Sequence, residues 1–205
     1  MVGEGVLLTS LAHPDVKEVL MVNRRHADLQ HPKLKELIVP DFMQLEAYTA
    51  QLTGYNACFY CAGISSVGLD EAKYTIITYD TTMTFATKLA ALNPGMTFNF
   101  VSGAQTDASE KGKVMWARVK GRTENALKTL PFRQQFNFRP GGMKAVPGQK
   151  NSKALYKVLV AIMSVILPKL VCTIADVGHA MINAITKGYP KHTLETVDIK
   201  VLAKG

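Results

Sequence analysis

Short β-rich runs alternate with longer helical stretches along this chain, and that alternation restricts the fold more than any single residue does. The β-rich runs are VKEVLMVN (16–23), LKELIVPD (34–41), YNACFYCAG (55–63), MTFNFVSG (96–103) and FRQQFNFRPG (132–141). Helical patterns cover 2–12, roughly 70–92 and 114–130, with two more near 152–167 and 174–187. Strand, helix, strand at these intervals predicts a parallel sheet with helices on both faces. The third run is nearly all apolar, as expected of a strand covered on both faces. Asn93-Pro94-Gly95 stops the second helix, and Thr173 is placed to cap the last one. The end, TLETVDIKVLAKG, reads either as a final strand or as an exposed tail.

The 205 residues suffice for one such domain with a sizeable core, so 1–205 is expected to be a single domain. Residues of about 142–190 would then form its substrate-side helical segment. Hydrophobic residues at 47% and charged residues at 20% exclude a disordered chain. A net charge of +8 and a pI near 9.4 suit nucleic acid, an anionic surface or an anionic small ligand. The basic residues are scattered, with small clusters at Arg24-Arg25 and at Lys111 and Lys113. No RNA-binding aromatic motif, zinc-finger spacing or basic tail accompanies them, so nucleic acid is not the expected partner. A phosphate-bearing cofactor fits better.

Three cysteines argue against a disulfide framework and suit a reducing, cytoplasmic compartment. Cys58 and Cys61 form a C-x-x-C, but on a strand residues three apart point to opposite faces, so strand core is the reading. No secretory signal is visible. The longest apolar run, VLVAIMSVIL (158–167), is shorter than the about 20 residues a membrane span needs. It reads as a core or interfacial helix. Peripheral membrane contact through 152–170 and its lysines is a lesser reading.

Parallel sheets of this kind bind ligands at the carboxyl ends of their strands. After the first run comes Asn23-Arg24-Arg25. In a dinucleotide-binding fold an acidic residue about 20 positions past the glycine turn grips the ribose 2′-hydroxyl, whereas arginine there suits a 2′-phosphate. Gly3 to Asn23 is that interval. A solvated basic turn is the other reading. After the second run, Asp41 can accept a hydrogen bond from an adenine or cap the next helix. After the third, Cys61-Ala62-Gly63 admits close backbone approach or makes a plain tight turn. Ser102-Gly103 and Arg139-Pro140-Gly141 follow the fourth and fifth.

VSGAQTD (101–107), WARVKG (116–121) and FNFRPG (136–141), in that order and spacing, resemble the atypical branch of the short-chain dehydrogenase/reductase superfamily. More narrowly, they resemble its epimerase/dehydratase-like, NAD(P)-binding members near the Tat-interacting-protein group, over nearly the whole chain. The resemblance implies a Rossmann-like doubly wound parallel sheet. Relatives begin with a strand and a turn of the form G-x-x-G-x-x-G. MVGEGVLL matches the end of that turn, with Gly3 its last glycine. The first strand and earlier glycines are then expected to be missing, as in a truncated product or fragment, unless the protein evolved to begin here. In the strand order 3-2-1-4-5-6 the missing strand is central, and its neighbours, 16–23 and 55–61, lose their partner.

Members that reduce carbonyls use a serine, a tyrosine and a lysine. By resemblance, Ser102 orients the carbonyl and Lys120 binds the nicotinamide ribose. Trp116 stands where the proton-donating tyrosine belongs. An indole N–H donates a hydrogen bond but has no proton to give near neutral pH. Tyr60, Tyr79 or a water would have to supply the proton, or a weak donor suffices, or the protein binds cofactor without turnover. Trp116 also reads as an apolar helix residue, and Lys120 as a solvated one. The cofactor-binding set is Gly3, Asn23, Arg24, Arg25, Asp41, Cys61, Ala62, Gly63, Lys120, Arg139, Pro140 and Gly141. NADP is preferred over NAD. No metal is expected, since no histidine has ligand spacing. Ser102 lacks the G-x-S-x-G of a hydrolase. The expected activity is oxidation or reduction of an unknown small alcohol or carbonyl. The alternative is an NADP-binding regulatory protein that has lost catalysis.

Overall fold

The β-branched and aromatic runs become strands in the computed structural model, which describes residues 1–149, 160–164 and 166–205. Most of the helix expected near 152–167 lies outside the described residues. In chain order the strands are β1 (Val19–Asn23), β2 (Leu34–Ile38), β3 (Ala57–Tyr60), β4 (Thr97–Val101), β5 (Gln134–Arg139), β6 (Gly142–Lys144), β7 (Val171–Thr173) and β8 (Thr193–Glu195). The helices are α1 (Val2–Ala12), α2 (Glu71–Thr75), α3 (Thr81–Leu92), α4 (Met115–Leu127), α5 (Ile174–Thr186) and α6 (Thr196–Leu202). A π-helical turn at Ile76–Asp80 joins α2 to α3. β3, β4, β5 and β8 form one sheet in that order, while β1 pairs with β2 and β6 with β7. β1 and β3, the expected neighbours of a central strand, therefore belong to different sheets.

Contacts divide the chain into two units, Asp41–Asn137 and Met1–Pro40 with Phe138–Gly205. In the first, β3 runs parallel to β4, with Ala57 opposite Thr97 and Tyr60 opposite Phe100. The period of two sorts the side chains of β4 and β5 into two buried sets. Phe98, Phe100 and Phe136 alternate with Thr97, Asn99, Gln135 and Asn137, and each of these is at most 5% exposed. Tyr60 packs into the aromatic set, 5.9 Å from Phe98 and 5.9 Å from Phe85 of α3 between ring centroids. On β5, Gln135 donates to Asn137 at 2.8 Å.

Asn93, just past α3, ties the connections of this unit together. Its carbonyl oxygen accepts from the Gly54 and Tyr55 amides at 2.8 and 3.1 Å. Its amide donates to the Leu52 and Leu89 carbonyls at 3.0 and 3.3 Å. It is 6% exposed.

In the other unit α1 packs against α5, and glycines set the distance. A Cβ on Gly178 would lie 2.8 Å from Cβ and Cγ2 of Thr9, closer than carbon atoms approach. A Cβ on Gly5 would overlap the Ile174 side chain. Gly5 is therefore the packing glycine of α1, and its contact is another helix. Thr9 and Ser10 return their hydroxyls to the carbonyls of Gly5 and Val6, both at 2.9 Å, so neither buried hydroxyl is orphaned. Thr173 caps α5 as its sequence predicts, accepting from the Asp176 amide at 2.9 Å. The C-terminal stretch is neither a lone strand nor a tail. Glu195 and Asp198 form a capping box between β8 and α6, and Leu194, Ile199 and Leu202 are buried.

Replacing Asn93 with Ala removes the partner of the Gly54 and Tyr55 amides and of the Leu52 carbonyl, at about 1–3 kcal/mol for the worst of them. Asn93→Ala is expected to lower the unfolding free energy by about 2–4 kcal/mol, read from urea denaturation. A loss below about 1 kcal/mol would show that water reaches these groups.

Candidate functional site

The chemistry-bearing residues of unit Asp41–Asn137 gather where β4 ends. Ser102 follows the last residue of β4, and Cys61-Ala62-Gly63 follows β3, its parallel neighbour. Both segments thus leave the same end of the sheet. Helix α4 is held close by Gly121, where a Cβ would overlap the Asp107 carbonyl. The Asp107 amide donates to the Ala117 carbonyl at 3.0 Å. The Asp107 carboxylate accepts from the Gly112 amide at 2.7 Å and the Ser109 hydroxyl at 2.6 Å. Those bonds fix the loop between β4 and α4 and hold the carboxyl below its usual range, the Ser109 hydroxyl first.

The consequence is a buried polar cluster. Lys120 donates from Nζ to the Ser102 backbone carbonyl at 2.5 Å. The Ser102 hydroxyl donates to Oε1 of Glu124 at 2.5 Å. Ser102 is 6% exposed and Glu124 fully buried. Burial pulls the Lys120 ammonium down to about 8, and the neighbouring Glu124 charge opposes that shift. Trp116, Lys120 and Glu124 are spaced by four residues, so they share one stripe of α4. Trp116 is partly exposed and is not a core side chain.

A carboxylate only accepts hydrogen bonds, so the serine hydroxyl donates its proton to Glu124. Lys120 spends one of its three N–H groups on the carbonyl. The tyrosines named as substitutes for Trp116 are otherwise engaged. Tyr60 is 5% exposed, and burial pushes its hydroxyl up to about 12. The Arg122 guanidinium covers the Tyr79 ring, 4.2 Å from its centroid. Burial also raises the Cys58 and Cys61 thiols, Cys61 to about 12, so neither is a thiolate near neutrality. Among the described residues no group of three His, Cys, Asp or Glu side chains is arranged to hold a metal.

Gly63 is exposed, and a Cβ there would meet no atom within 4 Å. Packing does not demand glycine at this position, whereas a ligand lying against the backbone would. Asp41, also exposed, accepts from the Met43 amide at 2.9 Å and from Gln44 Nε2 at 3.1 Å, a local turn bond.

The other unit carries the basic turn. Arg24 and Arg25 are exposed at the end of β1, and among the described residues no hydrogen bond or ion pair engages either guanidinium. Behind them, Glu36 of β2 accepts from the Ala27 amide at 2.8 Å and binds the His26 ring and the Asn23 side chain. The Ala27 amide is the main reason its carboxyl lies below the usual range. Gly3 sits in the first turn of α1. Arg139 pairs with Glu195 at 3.3 Å. Pro140 is buried, and the Gly141 amide donates to Thr196 Oγ1 at 2.9 Å. A Cβ on Gly141 would overlap the Leu170 carbonyl, so packing alone explains that glycine.

Sequence reasoning missed two carboxylates. Glu124 carries a local signal, its spacing of four from Lys120. Glu36 carries none, because only the β1–β2 register, Met21 opposite Glu36, brings it beside the basic turn.

No family model matches the chain, and no curated protein matches it in sequence. Solved structures do match. The UDP-N-acetylglucosamine 4-epimerase of Methanobrevibacter ruminantium superposes with a TM-score of 0.68 at 14% identity, over 94% of this chain and 71% of that one. The Bordetella bronchiseptica enzyme WbmF, solved with NAD+, gives 0.64 at 14% identity over 98% and 74%. An NADPH-bound carbonyl reductase from chicken fatty liver gives 0.63 at 11% identity over 95% and 92%. The chain has the Rossmann-type α/β fold of these solved structures.

Proposed function

We propose that the protein binds a nicotinamide dinucleotide, NADP in preference to NAD, and acts as an oxidoreductase on a small carbonyl or alcohol. The observation that carries this reading is Lys120, seated from α4 on the carbonyl of Ser102 at the end of β4. By the resemblance, that lysine binds the nicotinamide ribose and that serine orients the substrate oxygen. The fit is chemical as well as positional. A lysine pulled down to about 8 still carries its charge at neutral pH and has two N–H groups left for ribose hydroxyls. Gly63 leaves room for a ligand at the neighbouring strand end. The unengaged Arg24 and Arg25 suit a 2′-phosphate, and Asn23 and Glu36 brace their turn.

When bound, the nicotinamide supplies or accepts hydride. The chain's own part is orientation and proton handling. Glu124 fixes the rotamer of Ser102 by accepting its hydroxyl proton, so that proton is not offered to a substrate oxygen. That suits a substrate hydroxyl better than a carbonyl. Trp116 can pack against a substrate or donate one hydrogen bond, but it cannot protonate an alkoxide. This favours a second reading, an NADP-binding regulatory protein without turnover.

Cofactor binding is read by NADPH fluorescence. Failure to perturb it at high micromolar protein would overturn the proposal. Arg24→Ala and Arg25→Ala are expected to weaken NADPH by about tenfold each, the loss of one charge-assisted hydrogen bond, with NADH unchanged.

The Lys120 contribution should follow its protonation. Its charged form prevails below about pH 8, so affinity for the dinucleotide is expected to fall as pH rises through 8. Lys120→Met, which has no proton to lose, should bind weakly and without that step.

Trp116→Tyr separates the two readings on a panel of small aldehydes, ketones and alcohols. Turnover by the tyrosine variant alone supports the regulatory reading, and equal turnover by both proteins dismisses it.

A further inference from the structure

One stretch concentrates the positive charge. From Gly141 to Ala175 the chain has five lysines and no aspartate or glutamate. The described residues at its end expose aliphatic side chains: Ile162 at 53%, Ile166 at 69%, and Leu167 and Leu170 at 48% each. Helix α6 adds Val197 at 51% and Val201 at 58%, one turn apart. The two elements are joined, because Lys200 of α6 donates to the Pro168 carbonyl at 3.1 Å. Exposed lysines, Lys169 and Lys204, stand among these side chains. The carboxylates nearby are engaged: Glu195 pairs with Arg139, and Asp198 with Lys191 and Tyr189.

We propose that this patch docks the protein on an anionic lipid surface. Several large aliphatics half-exposed together on one face of a unit are unusual for a soluble surface and mark an interaction site. They stand on two neighbouring helical elements with lysines beside them, which suits the boundary between acyl chains and anionic headgroups. Lysines placed between them can keep their stems on the apolar layer and their ammonium groups among headgroup phosphates and carboxylates. A second copy of this chain is a poor occupant, since facing patches would oppose like charges. Among the described residues no helix is long and apolar enough to cross a membrane, so the contact lies at the interface. The inference is independent of the proposed cofactor.

The test uses the full chain with phosphatidylcholine vesicles, with and without phosphatidylserine, in co-sedimentation. Binding is expected only with phosphatidylserine, and should fall at least about fivefold between low salt and about 1 M salt. The double variant Ile166→Asp with Val201→Asp should lose it at low salt. Both positions are exposed, so its thermal midpoint should match the wild type. Lys169→Glu should weaken binding while leaving the apolar surface intact. Absence of phosphatidylserine-dependent binding, or retention of it by the Asp variant, overturns the proposal. So does a wild-type dimer in sedimentation velocity that the Asp variant abolishes, which would make the patch a self-association surface.

Discussion

A lysine taken out of water must find acceptors or lose its proton, and the candidate site depends on how Lys120 meets that demand. Its ammonium sits on the Ser102 carbonyl, with the Glu124 charge one turn along α4. The carbonyl is available because β4 has just ended, so Ser102 is released from the sheet's pairing pattern. The helix can come close enough only because residue 121 is glycine against the Asp107 backbone. Strand end, loop and helix are thus fixed relative to one another by three small features, and the serine hydroxyl takes its direction from the same carboxylate. Such a cluster is costly to build and worthless if partly satisfied. Here Lys120 has one bond made and two N–H groups left over, which a task explains better than stability does, since apolar residues of similar size would serve stability as well.

The sheet beneath it shows the same preference for specificity. One set of side chains on β4 and β5 is aromatic, and the other is a row of buried amides and a threonine. A purely apolar core would tolerate a slip of one residue poorly, because the slip exchanges the two faces. Here a slip would also drive the amides of Asn99 and Asn137 among the phenylalanines. The polar row therefore holds the register that places Ser102 at the strand's tip.

How much of this was legible depends on whether a signal is local. The β-rich runs and their α-helical intervals follow from residue patterning, and five of the strands fall within them. The Ser102–Lys120 relation follows from resemblance, and the structure brings the two together at one carbonyl. What could not be read rests on distant pairing. Glu36 reaches the Arg24-Arg25 turn only through the β1–β2 register. Gly5 gains its importance from Ile174, far along the chain. The C-terminal stretch looked like one strand or a tail because a three-residue strand and a seven-residue helix are each too short to show a period. Gly141 illustrates the converse: it matches a family motif, yet its backbone contact with Leu170 is reason enough for glycine.

Two carboxylates and one indole together narrow the chemistry further than the fold does. Glu36 beside the basic turn carries negative charge, yet it is bound by the Ala27 amide, the His26 ring and Asn23, so its field toward a ligand is muted. The arginines keep their attraction for a phosphate. Glu124 plays the opposite part. It is aimed at the very hydroxyl that would touch substrate, and a serine so committed stabilises a hydroxyl donor rather than a developing oxyanion. With Trp116 where the resemblance puts the tyrosine, the indole cannot supply the proton. Binding of an alcohol without reaction asks for that polarity, whereas hydride transfer in either direction passes through one alkoxide-like transition state and needs a group that exchanges the hydroxyl proton.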